Sequence, residues 1–416
     1  MIRVENLVKV FGEDPERALA LLQQGRTKAE IREETGLTVG VNDVSFHVDP
    51  GEIFVIMGLS GSGKSTLLRC VNRLIDPLSG SVFLQTEEGE IDVTALDEEG
   101  LRAVRRDSLS MVFQRFGLLP HRSVLDNVAF GHEVRGTTVR ERRRMAKEML
   151  EVVGLAGWEK ELPSQLSGGM QQRVGLARAL ATQANVLLMD EPFSALDPLI
   201  KMTMQDELLR IQSEMHRTIL FITHDLDEAL RLGSRIAIMD DGAIVQSGTP
   251  EEIIVNPKTP YVTDFVEHAD PTGVITAQTV ALPVQTQRFR TDDVGEGRTR
   301  YTREGQDRYA YVLEGERFAW FEFEGRRVET RALSQVLDLD EPAKQREDVA
   351  LAARPEATLK NVLRGRTVSH LPQVVLGDDG TLLGVISELE LVHGILYKTA
   401  NPDLEEAMAA RMGAKA

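Results

Sequence analysis

Apolar and polar positions change period several times along the chain, and the changes outline its elements. Residues 1–12 alternate as a short strand ending in Val10-Phe11-Gly12. A second strand runs from Val41 to Val48. The turn Asp49-Pro50-Gly51 then leads into an unbroken apolar run, Ile53 to Met57, with the pattern of a buried strand. Beyond it the period becomes helical, with Leu67, Leu68, Val71, Leu74 and Ile75 recurring on one face. Further apolar runs stand at Leu109–Phe113, Val186–Met189 and Thr218–Thr223, the last two separated by a helix through Leu208, Leu209 and Ile211. Such alternation predicts an α/β fold with a largely parallel sheet covered on both faces. Arg235–Met239, an Asp241-Gly242 turn and Ala243–Gln246 form a hairpin.

Other stretches are less apolar. Gly80 to Asp92 has the pattern of an exposed, Glu-rich β segment. Residues from about Gly131 to Leu166 read as helical and highly charged. Arg140, Arg142, Arg143 and Arg144 share that segment with Glu141, Glu148 and Glu151, so a solvated helix face accounts for the basic run. An insert occupies residues 13–39. Pro15–Gln24 contains good helix formers with proline in the first turn, and Gly25 suits a helix stop. Thr27-Lys28-Ala29-Glu30 has the capping-box pattern and opens a second short helix ending near Gly36.

The character of the chain changes near Asp270–Gly273, where a domain boundary is expected. Beyond it, Thr358–Leu363 predicts a helix, Leu371–Leu376 a strand, Asp379-Gly380 a turn, Leu382–Ile386 a partner strand and Glu388–Leu396 a helix. Phe318–Phe323 reads as a strand, while the polar stretch 285–307 is expected to be loop. Residues 401–416 suggest a short frayed helix without a readable role.

Composition narrows the function classes. A chain of 416 residues has room for two or three domains, and its formal charge of -17 with pI near 5.1 argues against nucleic acid as a partner. The same charge disfavours electrostatic attachment to anionic lipid. No window approaches the ~18 apolar residues of a membrane span, and the N-terminus lacks a signal pattern. The single cysteine, Cys70, excludes an internal disulfide and reads as a buried structural thiol. These features predict a soluble intracellular protein whose membrane link, if any, runs through a partner.

The chemistry concentrates at the ends of predicted strands. Gly58-Leu59-Ser60-Gly61-Ser62-Gly63-Lys64-Ser65-Thr66 lies between a strand and a helix, the setting in which such a loop cradles phosphate. Its backbone N–H groups and the helix dipole suit anionic oxygens, Lys64 can reach the β- and γ-phosphates, and Ser65 can ligate Mg²⁺. Asp190 and Glu191 follow the Val186–Met189 strand; the first can complete a Mg²⁺ shell and the second can polarise an attacking water. His224 can contact the γ-phosphate, and Gln114 can position water or touch Mg²⁺. Leu166-Ser167-Gly168-Gly169-Met170-Gln171-Gln172-Arg173 leads another helix and makes a second anion cradle. One nucleotide does not need two cradles from one chain, so the second serves a nucleotide held by another copy.

Taken in order, Gly58–Thr66, Gln114, Leu166–Arg173, Val186–Pro192, Ser194-Ala195-Leu196-Asp197 and His224 resemble the motif set of ATP-binding-cassette (ABC) ATPases: Walker A, Q-loop, signature, Walker B, D-loop and H-loop. The resemblance covers roughly residues 1–265. It implies a P-loop ABC-type ATPase domain over 1–270, with a helical subdomain about 131–180. It implies ATP and Mg²⁺ as ligands, with Ser65, Gln114 and Asp190 at the metal. It further implies a head-to-tail dimer in which Ser167, Gly168 and Gly169 act in trans and Glu191 is the general base. Asp197 takes the D-loop position, and Phe11 stands where the family stacks an aromatic on adenine.

The insert with Thr35–Val41, the run Glu52–Ser60 and Phe193–Ile200 resemble the ATPase subunit of glycine betaine/proline betaine importers. That likeness implies ATP hydrolysis powering import of a quaternary amine through integral membrane permease subunits, with a substrate-binding protein acting indirectly. It places the chain peripherally on the cytoplasmic face of the membrane. The segment Arg115–Asp126 would relay closure to the permease. The tail resembles a pair of cystathionine-β-synthase-type (CBS) modules, a degenerate one at 273–336 and a clearer one at 337–398, followed by 399–416. It is expected either to gate hydrolysis by sensing ionic strength or a nucleotide, or only to promote dimerisation. An importer of another small solute is the runner-up. A repair or translation cassette lacks support because one Gly-Lys-Ser-Thr and no heptad run are present, and a phosphate-loop kinase leaves the signature unexplained.

Overall fold

The computed structural model describes residues 1–86, 89–114, 117–182, 184–337 and 349–397. The chain divides into two compact units, Met1–Pro250 and Glu251–Ala416. Four expectations fall partly or wholly outside the described residues: residues 87–88 of the Gly80–Asp92 segment, the start of the Arg115–Asp126 segment, residues 338–348 and 398 of the module expected at 337–398, and residues 399–416.

The first unit is built on two sheets. One has the order β2-β1-β4-β5 and is antiparallel, from Ile2–Phe11 (β1), Thr38–Val48 (β2), Ser79–Thr86 (β4) and Gly89–Asp92 (β5). The other has the order β10-β9-β3-β8-β7-β6, from Ile53–Met57 (β3), Leu109–Val112 (β6), Val186–Asp190 (β7), Thr218–Thr223 (β8), Arg235–Asp240 (β9) and Ala243–Gly248 (β10). Its central strands are parallel, and only the β9–β10 hairpin is antiparallel. Every residue of β3, β7 and β8 is buried, which is why these strands read as unbroken apolar runs. The core lies between the sheets and the helix Lys64–Val71. Ile2, Val4 and Val82 from one sheet meet Phe54, Leu188 and Ile222 from the other, with Leu67 and Leu68 among them.

The insert forms the predicted helices, Pro15–Gln23 and Lys28–Thr35. The Thr27–Glu30 capping box is made in both directions, and Gly36 closes the second helix in the left-handed region. Ala18 and Ile31 pack on Val8, Val10 and Val39, so the insert has a small core of its own. The segment expected as helical from 131 to 166 is interrupted. It contains Phe130–Val134 and Val139–Val152, broken at Gly136 (φ 78°), with Thr138 capping the second helix. The left-handed glycine outweighs the charge periodicity that continues past it.

In the second unit an eight-stranded sheet runs in chain order from β11 to β18. Its strands are Phe289–Gly295 (β11), Arg298–Arg303 (β12), Tyr309–Glu314 (β13), Arg317–Phe323 (β14), Arg326–Ala332 (β15), Val349–Ala353 (β16), Gln373–Leu376 (β17) and Leu382–Ile386 (β18). β11 to β15 form an antiparallel meander. The stretch 285–307, expected as loop, is therefore largely the β11–β12 hairpin. Arg300 of this hairpin pairs with Glu322 of β14 at 2.8 Å, and the buried Arg303 pairs with Glu390 of the helix Glu388–Tyr397 at 2.8 Å, so charged residues take inward positions and hydrophobic alternation does not reveal the strand. Beyond the meander, β16, the helix Leu359–Arg366, β17, β18 and the helix Glu388–Tyr397 follow in β-α-β-β-α order, with the helix and paired strands where the sequence places them. The division at Pro250/Glu251 also precedes the expected boundary at 270–273. Glu251 Oε1 accepts from Thr276 N at 2.7 Å and Thr279 Oγ1 at 2.6 Å, which binds the preceding helix into this unit. No helix among the described residues is long and apolar enough to cross a membrane.

Candidate functional site

Strand β3 delivers the loop Gly58–Gly63, and the helix Lys64–Val71 starts at its end. Two of its glycines are required by close approach. A Cβ on Gly58 would lie 2.1 Å from Met239 O, and one on Gly63, at φ 103°, 2.2 Å from Gly40 O. The β9–β10 turn grips the loop from the side, with Gly242 N donating to Ser62 O at 3.0 Å and Asn42 N donating to Gly242 O at 2.8 Å. Lys28 of the insert lies 3.5 Å from Asp241 in that turn.

Lys64 is buried, and its Nζ donates to Gly58 O and Leu59 O, both at 2.8 Å, folding the ammonium over the concavity. Burial holds that ammonium below the ordinary lysine range, and the charges of Glu191 and Asp190 oppose the shift. Ser65 Oγ donates to Asp190 Oδ1 at 2.7 Å, and Arg69 reaches Asp190 Oδ2 at 3.3 Å. Asp190 ends β7 and has no exposed surface. Among the described residues no three His, Cys, Asp or Glu cluster as a metal cage. One buried carboxylate beside a hydroxyl is still the donor set for Mg²⁺ that takes its other ligands from phosphate and water.

Glu191 follows in the left-handed region, at φ 48°. Its Oε2 accepts from Gln114 Nε2 at 3.0 Å, and its Oε1 lies 3.2 Å from His224 Nδ1. Residues far apart in sequence thus converge on one carboxylate at the ends of β6, β7 and β8. Phe11, at the end of β1, is 39 % exposed. Its ring passes beside Gly40 and Thr66: a Cβ on Gly40 would lie 2.8 Å from Phe11 Cε2 and 3.1 Å from Thr66 Cγ2.

Ser167 caps the helix Gly168–Ala181, its Oγ accepting from Met170 N at 3.3 Å, and Ser167 and Gly168 are exposed. Asp197 caps the helix Pro198–Met215, accepting from Ile200 N at 3.1 Å.

Two groups of residues escaped sequence reasoning. Behind His224, Lys201 Nζ meets Asp225 Oδ2 at 2.5 Å and Glu228 Oε1 at 2.7 Å, while Thr223 Oγ1 donates to Glu228 Oε2 at 2.5 Å. Burial pulls Lys201 down, but the hydrogen bonds and charges of Asp225 and Glu228 raise it above the ordinary range overall. Asp225 and Glu228 stand near His224 in sequence, yet no spacing announces Lys201. The second is the role of Gln172, a residue of the Leu166–Arg173 stretch to which the sequence assigns no contact, and which joins the Ser167–Gly169 helix to the turn after Glu191: Nε2 donates to Glu191 O at 3.1 Å, and Oε1 accepts from Ala195 N at 2.9 Å.

A family model described as ABC transporter matches residues 41–194. The glycine betaine/proline betaine transport system ATP-binding protein ProV of Escherichia coli is 44% identical over 402 residues, covering 95% of this chain and 97% of that protein. The glycine betaine/carnitine transport ATP-binding protein GbuA of Listeria monocytogenes is 54% identical over 291 residues, covering 70% of this chain and 72% of its own length. The trimethylamine N-oxide transport ATP-binding protein TmoW of Ruegeria pomeroyi is 52% identical over 297 residues, covering 71% and 84%. Among solved structures, the dimeric post-hydrolysis state of the ATP-binding cassette MJ0796 bound to ADP and Pi matches with a TM-score of 0.52 at 31% identity, over 60% of this chain and 99% of that one.

Proposed function

The chain belongs to the ABC transporter family of ATP-binding proteins, and from that premise we propose that it hydrolyses ATP to power import of a methylated-amine osmoprotectant of the glycine betaine/proline betaine type. ATP binding and hydrolysis follow from the family; the substrate class is supported by the names of the relatives above, each of a transporter for a methylated ammonium or amine-oxide solute. The observation that carries the reading is the Glu191 carboxylate held between Gln114 and His224, one residue beyond an Asp190 bonded to Ser65.

In this mechanism the loop Gly58–Thr66 wraps the phosphates, and Lys64 exchanges its bonds to Gly58 O and Leu59 O for phosphate oxygens. Mg²⁺, when bound, neutralises charge building on the β- and γ-phosphates; Ser65, Gln114 and Asp190 are the residues to hold it. Glu191 accepts a proton from the attacking water, Gln114 fixes its orientation, and His224 faces the γ-phosphate. The exposed Phe11 ring stacks on adenine. Ser167, Gly168 and Gly169 complete the site of a second copy, with Asp197 at the interface.

The partners are a second copy, permease subunits at the cytoplasmic membrane face, and indirectly a substrate-binding protein. A groove of about 700 Å³ whose walls combine Leu74, Met111, Phe113 and Phe130 with Arg105 and Arg178 suits an amphipathic cytoplasmic helix of the permease. The second unit serves as a regulatory appendage with a CBS-like module in its β16 to Tyr397 half. In reconstituted transporter, Glu191→Gln leaves ATP binding intact and abolishes uptake of labelled glycine betaine. Near-normal uptake refutes the base assignment, and uptake of an unrelated solute in preference to methylated amines refutes the substrate. Truncation after Pro250 tests the tail: an unaltered salt response removes its sensing role.

A further inference from the structure

The helix Gly168–Ala181 carries the exposed cradle at its N-terminus, and one turn inside it is locked to the segment that bears Glu191. Gln172 is buried at 1% exposure and uses both ends of its amide, donating to Glu191 O and accepting from Ala195 N. Glu191 O also accepts from Ser194 Oγ at 3.0 Å, so the carbonyl of the residue at φ 48° is held from two sides. Gly169, three residues earlier on the same helix face, leaves no slack: a Cβ there would stand 3.3 Å from Ala195 O and 3.5 Å from Leu196 Cδ2. A non-glycine residue in the left-handed region keeps that conformation only where its surroundings enforce it. Beside Ser194 Oγ and the bond from Glu191 N to Ile222 O at 3.0 Å, one of the enforcing groups, Gln172, belongs to the cradle helix.

We propose that Gln172 is a positioning residue that couples the two nucleotides of the dimer, transmitting movement of the cradle helix to the backbone that aims Glu191. The inference rests on the proposed reading, in which Ser167–Gly169 engage the partner's nucleotide while Glu191 acts on the chain's own. When the cradle helix is drawn onto the partner's phosphate, Gln172 carries Glu191 O and Ala195 N with it. The carboxylate then turns relative to Gln114 and His224. Occupancy of one site thereby sets the hydrolytic competence of the other through a single amide, without contact between Gln172 and either nucleotide.

The test uses the assembled transporter with Gln172→Glu, which keeps the acceptor and loses the donor, and Gln172→Met, which keeps the volume and loses both. ATP affinity, maximal rate, Hill coefficient and thermal unfolding are measured for each. Expected are ATP affinity within about twofold of the parent, a maximal rate lowered about tenfold or more, and a Hill coefficient reduced toward one. Parental rate and cooperativity in both variants overturn the proposal. Parallel loss of ATP affinity and unfolding temperature also overturns it, by making Gln172 merely architectural. Glu191→Gln run alongside separates the layers: near-normal turnover there refutes the base assignment. Non-cooperative hydrolysis by the parent removes the two-nucleotide premise and the coupling with it.

Discussion

Replacing Lys201 by methionine tests whether the ionic network behind His224 holds the site together. Lys201 is 23% exposed, and its partner Glu228 only 4%, so the substitution strands a buried carboxylate whose remaining bond comes from Thr223. Removing one member of a buried pair costs about 3–5 kcal/mol, and the partial exposure of Lys201 and Asp225 puts this case at the lower end, about 3 kcal/mol. Neutralising Glu228 as well, in Lys201→Met/Glu228→Gln, removes the stranded charge and should recover roughly 2 kcal/mol of the loss. The chain has two tryptophans, Trp158 in the first unit and Trp320 in the second, so a Trp320→Phe background makes urea unfolding report the first unit alone. With a urea slope of about 3 kcal/mol per molar for a unit of this size, the single variant unfolds about 1 M earlier. Its ATPase rate also falls, because His224 sits between Thr223 and Asp225. A midpoint within a few tenths of a molar of the parent, or a double variant weaker than the single one, refutes the network as the support of His224.

Further outcomes follow from other parts of the molecule. Glu191→Gln lowers ATP turnover by about 10²–10⁴ with nucleotide affinity retained, measured by phosphate release and equilibrium binding. Gly63→Ala abolishes nucleotide binding, since its Cβ meets Gly40 O at 2.2 Å, and a binding titration detects the loss. Burial pushes the Cys70 thiol up to about 12, so alkylation at pH 8 is negligible in the native protein and rapid in denaturant. In the tail, burial raises Glu390, but the hydrogen bonds and charge of Arg303 and the bonds from Ser387 outweigh it and hold the carboxyl below its ordinary range. A depressed carboxylate stabilises the fold above its unfolded pKa and loses that contribution as pH falls through the folded value. The Trp320 unfolding transition therefore weakens below about pH 4.5, and Glu390→Gln flattens that dependence.

The candidate site was more legible than the tail, for reasons seen in particular residues. Gly58–Thr66 is local: strand, left-handed glycines and helix start lie within a dozen residues, so spacing alone specifies the geometry. Asp190, Glu191, Gln114 and His224 were legible because each lies at, or within two residues of, the end of an apolar strand. The Thr27–Glu30 box is equally local. β11 and β12 were not legible, because Arg298–Arg303 is a strand through backbone pairing with β11 and β13, and its arginines find partners in Glu322 and Glu390, 22 and 87 positions away, instead of showing an apolar alternation. β16, Val349–Ala353, carries little β signal of its own and is a strand through parallel pairing with β15 and β17.

By itself the sequence carried the expectation of what this protein binds: a glycine-rich loop with Lys64 and Ser65 has few uses other than phosphate, and a second cradle at Ser167–Gly169 led to the expectation of a second copy. Only the tertiary structure decided how the site is held. Gln172 meets Glu191 O, Lys201 meets Glu228, and Gly242 meets Ser62 across separations that no periodicity records. A hydrogen bond between distant segments depends on where the whole fold places both ends, whereas a loop's curvature is set by the residues within it.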